Sequence, residues 1–150
     1  MRLPQFSIII VLALTTLAMA ADFPPPSIKA TVWTKWQDVP TVPTNIEKAV
    51  AQQESSDNPN VGVHQDGTSV GWFGITPGFV HMLIEKKWIP KQKYNLNNGW
   101  ENRWLFRRGL QYFYKDSKDW NKALAKFHGS SDPKENSRYV VQVLKKVESL

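Results

Sequence analysis

Five stretches of this chain set apolar residues at the three- and four-residue spacing of an amphipathic helix. The first runs from Thr44 through Ile46, Ala49, Val50 and Gln53, and Thr44 with Glu47 three residues on reads as a capping box just after Pro43. Thr76-Pro77 opens the second as N-cap and first-turn proline, carrying Phe79, Val80, Leu83 and Ile84 to about Trp88. The third, capped by Asn98 with Glu101, bears Trp104, Leu105, Phe106, Leu110, Tyr112 and Phe113 over so wide an arc that it is predicted to be the central, most buried helix. Asp119 opens the fourth, with Trp120, Ala123, Leu124 and Phe127. Asp132-Pro133-Lys134-Glu135 starts the fifth, which carries Tyr139, Val140, Val143, Leu144 and Val147.

The pattern predicts a mostly α domain of about five helices over residues 44–150. Any β structure is confined to the polar loop from Ser55 to Gly74, whose length marks it as functional. Residues 21–43 hold five of the ten prolines and read as an extended arm that Trp33 and Trp36 tack onto the domain. Residues 1–20 differ again, with one cation at Arg2, an uncharged apolar run over 8–17 and the small-x-small sequence Ala18-Met19-Ala20. That is the layout of a cleaved signal peptide, predicting a protein exported to the periplasm or secreted, and the run is short for a membrane span.

Composition narrows the chemistry. The chain has no cysteine, so an exported domain must hold by burial without disulfides, and neither a lipid anchor nor a thiolate metal site is possible. His64, His81 and His128 are scattered without ligand spacing, which predicts no metal site. A net charge of +6 favours anionic surroundings, including cell-wall polymer. The basic doublets Lys86-Lys87, Arg107-Arg108 and Lys145-Lys146 fall on three different helices, which argues for solvated faces rather than a nucleic-acid surface.

One residue stands out by position. At 100° per residue Glu54 lies about 40° around the first helix from Val50 and about 80° from Ile46, at the edge of the buried face. Partial burial disfavours the ionised form of a carboxyl group. Its surroundings, Glu54-Ser55-Ser56-Asp57-Asn58-Pro59 followed by Gly71-Trp72-Phe73-Gly74-Ile75-Thr76-Pro77, resemble the signature of lytic transglycosylases with the soluble lytic transglycosylase domain, Glu-Ser-x-x-x-Pro then Gly-Leu-Met-Gln-Ile-x-Pro. The likeness continues through Gly109-Leu110-Gln111-Tyr112, Ala123-Leu124-Ala125-Lys126-Phe127-His128-Gly129 and Tyr139-Val140-x-x-Val143, in the family's order.

The resemblance implies a lysozyme-like fold and cleavage of the β-1,4 bond between N-acetylmuramic acid and N-acetylglucosamine in peptidoglycan, leaving 1,6-anhydromuramic ends. It implies Glu54 as the one catalytic acid, with no cofactor. Substrate contacts would come from Ser55, Phe73, Ile75, Phe127, His128 and Tyr139. The partners it implies are glycan strands and, for small monomeric members, an envelope-spanning secretion or conjugation complex. Read without the motif, Ser55 is a turn residue, Phe73 and Ile75 are core or cleft wall, and Tyr139 is one more core aromatic. Gly74 stands where the family has Gln, Trp72-Phe73 where it has Leu-Met, and Phe127-His128 where it commonly has Tyr-Asn. These departures predict a cleft flanked by Trp72, Phe73 and Phe127 that holds sugar by rings more than by amides. Two other readings stay open: a hydrolytic muramidase, with Asp57 or Asp66 as second carboxylate, and a glycan-binding module that has lost turnover.

Overall fold

The computed structural model describes Trp36 and residues 38–150; the predicted signal peptide and all of the proline-rich arm before Trp36, including Trp33, lie outside the described residues. The domain is mostly helical. Its helices are α1 (Thr44–Ser55), α2 (Pro77–Glu85), α3 (Gly99–Ser117), α4 (Trp120–His128) and α5 (Pro133–Glu148). Four of the five starts are capped as the sequence predicts. The side chains of Thr76, Asn98, Asp119 and Asp132 each accept backbone N–H groups of the first turn, and Pro77 and Pro133 occupy positions whose missing donors cost nothing.

The first start is different. Pro43 takes the N-cap position of α1 with no side-chain cap, so Thr44 and Glu47 do not form a capping box. Glu47 instead turns inward, 3% exposed, and its carboxylate accepts from Arg103 and, at 2.8 and 2.6 Å, from Nε and Nη2 of Arg107. A buried carboxylate needs such partners, and losing one side of a buried pair costs about 3–5 kcal/mol. Two arginines of α3 therefore lock α1 against it. The second departure is the end of α2, which stops at Glu85 rather than running to Trp88. Lys87 adopts a left-handed backbone (φ 53°), and the reversal lets Trp88 sink into the core and donate from Nε1 to the carbonyl of Arg108 at 2.6 Å.

Helix α3 is the centre of the fold. Trp104, Leu105, Phe106 and Leu110 are all at most 2% exposed. Around it, α4 packs on α3 and on α5, and α5 packs on α1. Trp36 does tack the end of the arm to this core: its Nε1 donates to the carbonyl of Trp88 at 3.0 Å, its ring meets Trp104 edge-on, and the Arg108 guanidinium lies 4.1 Å over its centroid. Among the described residues no helix is long and apolar enough to cross a membrane.

The predicted β element is rudimentary. Val70 bridges antiparallel to both Val63 and Ile75, with reciprocal Val70–Ile75 bonds of 3.0 Å. Asn102 of α3 holds this loop in place. Fully buried, it accepts from the Phe73 amide at 2.8 Å and donates to the carbonyls of Val70 and Leu96 at 2.8 and 2.9 Å. Gly71 lies so close to that amide that a Cβ would fall 2.4 Å from Asn102 Nδ2 and 2.3 Å from the Leu96 carbonyl oxygen, and its φ is +76°. Only glycine satisfies both conditions.

Asn102→Ala should cost about 3 kcal/mol, since it leaves buried backbone groups unpaired. In urea denaturation the midpoint falls, and hydrogen exchange at the Phe73 amide speeds up. An unchanged midpoint would show that the loop is held by something else.

Candidate active site

Glu54 sits on the last turn of α1, directly before the chain reverses through Ser56 and Asp57, both left-handed (φ 53° and 62°). Its carboxyl group points between three elements. From α5, the hydroxyl of Tyr139 donates to Oε1 at 2.6 Å. From the loop, Gly74 presses so close that a Cβ there would lie 2.9 Å from Oε2. His64, whose Nε2 is 2.7 Å from the Gly71 carbonyl oxygen, lies over the same glycine, its Cε1 3.3 Å from that Cβ position.

The electrostatics follow from this packing. Burial raises the Glu54 carboxyl above its ordinary value; the Tyr139 hydrogen bond and the proximity of His64 pull the other way, and Asp66 adds to the rise. Tyr139 is pushed well above the usual phenol range by its own burial and by Glu54, so it remains a donor. Asp66 is the opposite case. Its carboxylate accepts from Ser69 Oγ at 2.5 Å and from the Ser69 and Thr68 amides at 2.8 and 2.9 Å. Those bonds hold it down to about 2. Two acids of one cleft thus have opposite proton affinities, the pattern that separates a proton donor from a permanently ionised group.

Two cavities of about 420 Å³ each share Glu54 and His128 in their walls. Each is within the range of small-ligand sites. The first is bounded by the loop and by α2 and α4, through Asp66, Gly74, Ile75, Phe79, Lys126 and Phe127. The second lies toward α5, through Gln53, Glu135, Arg138, Tyr139 and Gln142. Glu54 therefore stands at the junction of the two cavities.

Of the sequence-predicted site residues, Glu54, Ile75, Phe127, His128 and Tyr139 come together at these cavities. Phe127 stands edge-on between Phe79 and Phe106, and the exposed His128 stacks face to face on Tyr139, centroids 4.4 Å apart. Two do not join them. Ser55 is a turn residue: its Oγ donates to the Ala51 carbonyl and accepts from the Asn58 amide. Phe73 is core, 1% exposed and stacked on Phe106 at 4.4 Å, because the Asn102 bond to its amide draws that backbone inward. Nor does Trp72 flank the cavities. Its Nε1 donates to Asp57 at 2.9 Å, and Asp57 lines neither cavity.

Sequence reasoning missed His64 and Phe79. His64 reaches Glu54 only through the folding of an irregular loop, which leaves no periodic trace. Phe79 reads as an ordinary core position of α2, yet it lines the first cavity and lies over Gly109, where a Cβ would come within 2.0 Å of its ring. The Gly109 position on α3 therefore exists to seat this ring. Comparisons of the chain with family models, with curated proteins and with solved structures find no match.

Gly74 takes a left-handed conformation, φ +62°, against the Glu54 carboxyl, so its lack of a side chain is a fit and not a lost contact. Gly74→Gln should destabilise the fold by about 1–3 kcal/mol through backbone strain and crowding. Equal urea midpoints for the variant and the wild type would contradict this account of the turn.

Proposed function

We propose that the domain is a peptidoglycan lytic transglycosylase, exported to the cell envelope, with Glu54 as its acid and base. The observation that carries the reading is the Glu54 carboxyl itself: partly removed from water, held by the Tyr139 hydroxyl, and standing at the junction of two cavities. The resemblance of the surrounding sequence supplies the substrate class.

The reaction follows from a single carboxyl group. Protonated Glu54 gives its proton to the glycosidic oxygen, and the bond from that oxygen to C1 of N-acetylmuramic acid breaks. The 2-acetamido group of the same sugar stabilises the developing positive charge, in place of a protein nucleophile. The 6-hydroxyl then attacks C1 while Glu54 takes its proton. That closes the 1,6-anhydro ring, restores the acid and consumes no water. Tyr139 holds Oε1 in a fixed direction, leaving Oε2 by Gly74 to face the leaving oxygen. A raised carboxyl affinity for protons keeps more of the acid in its donor form.

Asp66 favours one second reading. An ionised carboxylate in the first cavity suits a hydrolytic muramidase, in which it stabilises positive charge or orients water. The two readings give different products from one digest. Mass spectrometry of digested cell walls should show 1,6-anhydromuramic ends, lighter by one water than the reducing ends that hydrolysis leaves, and reducing ends alone would replace the first reading with the second.

Glu54→Gln should lower turnover by about 10²–10⁴-fold, whereas Asp66→Asn changes it far less if the transglycosylase reading holds. The stability effect has the opposite sign. A carboxyl whose folded-state proton affinity is raised contributes most below its unfolded value and loses that contribution as pH rises through the folded one. Glu54→Gln should therefore melt higher than wild type at neutral pH, with the gap closing in acid. A variant that clears cell walls at the wild-type rate would remove Glu54 from the mechanism.

A further inference from the structure

His64 stands beside Glu54, and the reaction proposed above gives it no part. The polar loop fixes its backbone: the His64 N–H donates to the Ser69 carbonyl at 2.8 Å, and its own carbonyl accepts from the Gly67 amide at 3.0 Å. The half-buried ring is fixed as well. Its Nε2 lies 2.7 Å from the Gly71 carbonyl oxygen, and since a carbonyl only accepts, Nε2 carries a hydrogen. Among the described residues Nδ1 has no hydrogen-bond partner, so it is the nitrogen on which the ring gains or loses its charge. The point that a Cβ on Gly74 would occupy lies 3.3 Å from Cε1 of this ring and 2.9 Å from Oε2 of Glu54. Imidazole and carboxyl therefore meet across a residue with no side chain. His64 lines neither cavity, so a sugar bound in them touches Glu54 and not the imidazole.

A positive charge at this range favours the ionised form of a carboxyl group. We propose that His64 is a positioning residue that acts through Glu54: the two groups titrate as a coupled pair, and the charged imidazole stabilises the carboxylate that Glu54 becomes when its proton passes to the glycosidic oxygen. His64 keeps its own proton throughout, while the Glu54 proton leaves to the leaving oxygen and returns from the 6-hydroxyl. The role rests on the transglycosylase reading and deepens it; the coupling of the two groups does not depend on it. Other ionisable groups face Glu54: Tyr139, Arg138 and Glu135 from α5, Lys126 and His128 from α4, and Asp66 from the loop. Of these, Asp66 competes for the imidazole. Burial dominates the Glu54 carboxyl and the Ser69 bonds dominate Asp66, with the imidazole acting on each in the lowering direction.

His64→Gln separates the charge of the ring from its anchoring, because a glutamine Nε2 can donate to the Gly71 carbonyl in its place while carrying no charge. In carbon NMR, Glu54 should titrate at higher pH in that variant than in the wild type. In Glu54→Gln, the His64 imidazole should titrate at lower pH, having lost its anionic neighbour. With cell walls as substrate, the alkaline limb of the kcat profile of His64→Gln should move to higher pH while the plateau kcat falls several-fold and KM stays the same, since a weaker acid persists over a wider range. Where His64→Gln fails to fold, the Glu54→Gln titration measures the same coupling with the loop untouched. An unchanged Glu54 titration in a folded His64→Gln, or an unchanged His64 titration in Glu54→Gln, overturns the inference. So does a His64 titration that moves in Asp66→Asn and not in Glu54→Gln, which would assign the ring to the loop acid. If the pair is coupled but the wild type forms no product from cell walls, it is the transglycosylase reading that fails.

Discussion

A carboxyl group near the end of a helix prefers water, and the fold around Glu54 is arranged to withhold part of it. Each surrounding element contributes one restriction. Tyr139 of α5 takes one oxygen with its hydroxyl, Gly74 brings bare backbone against the other, and His64 closes the loop side. The burial that results raises the proton affinity of the group, over the opposing pull of the Tyr139 hydrogen bond and of His64, at the expense of stability at neutral pH. A raised proton affinity and a less stable fold at neutral pH are the same fact seen twice.

Holding that arrangement requires α1, the loop and α5 to keep fixed distances, and α3 supplies the reference. Its Arg107, with Arg103, grips Glu47 two turns before Glu54 on α1, while Asn102 grips the loop at Val70 and Phe73. Gly71 and Gly109 are the points where this gripping brings atoms too close for any side chain, beside the Leu96 carbonyl and the Phe79 ring. The site thus lies on short polar segments, yet it inherits its rigidity from the most buried helix. Tyr139 is similarly fixed, since its own helix packs directly on α1.

The helices were legible because their signals are local. Thr76, Asn98, Asp119 and Asp132 sit next to the amides they cap, and α3 declares its burial by the breadth of its apolar arc. Glu47 shows where local reading fails: the capping-box spacing is present, but two arginines 56 and 60 residues away bind its carboxylate instead. For the site, Glu54 was visible from helix geometry and Tyr139 from the order of motifs. His64 and Asp66 became neighbours only through loop closure by buried hydrogen bonds, and Phe73 left the predicted cleft for the same reason.

Whether the packing around Glu54 holds its carboxyl above the ordinary carboxylate range is directly measurable. Carbon NMR of glutamate side chains, titrated in the wild-type domain and in Tyr139→Phe, follows the group itself. Glu54 should titrate above 4.5, its ordinary value, and should move higher still when the Tyr139 hydroxyl is removed, because that hydroxyl stabilises the ionised form. A Glu54 that titrates at or below the ordinary value, or that moves downward in Tyr139→Phe, would contradict the account.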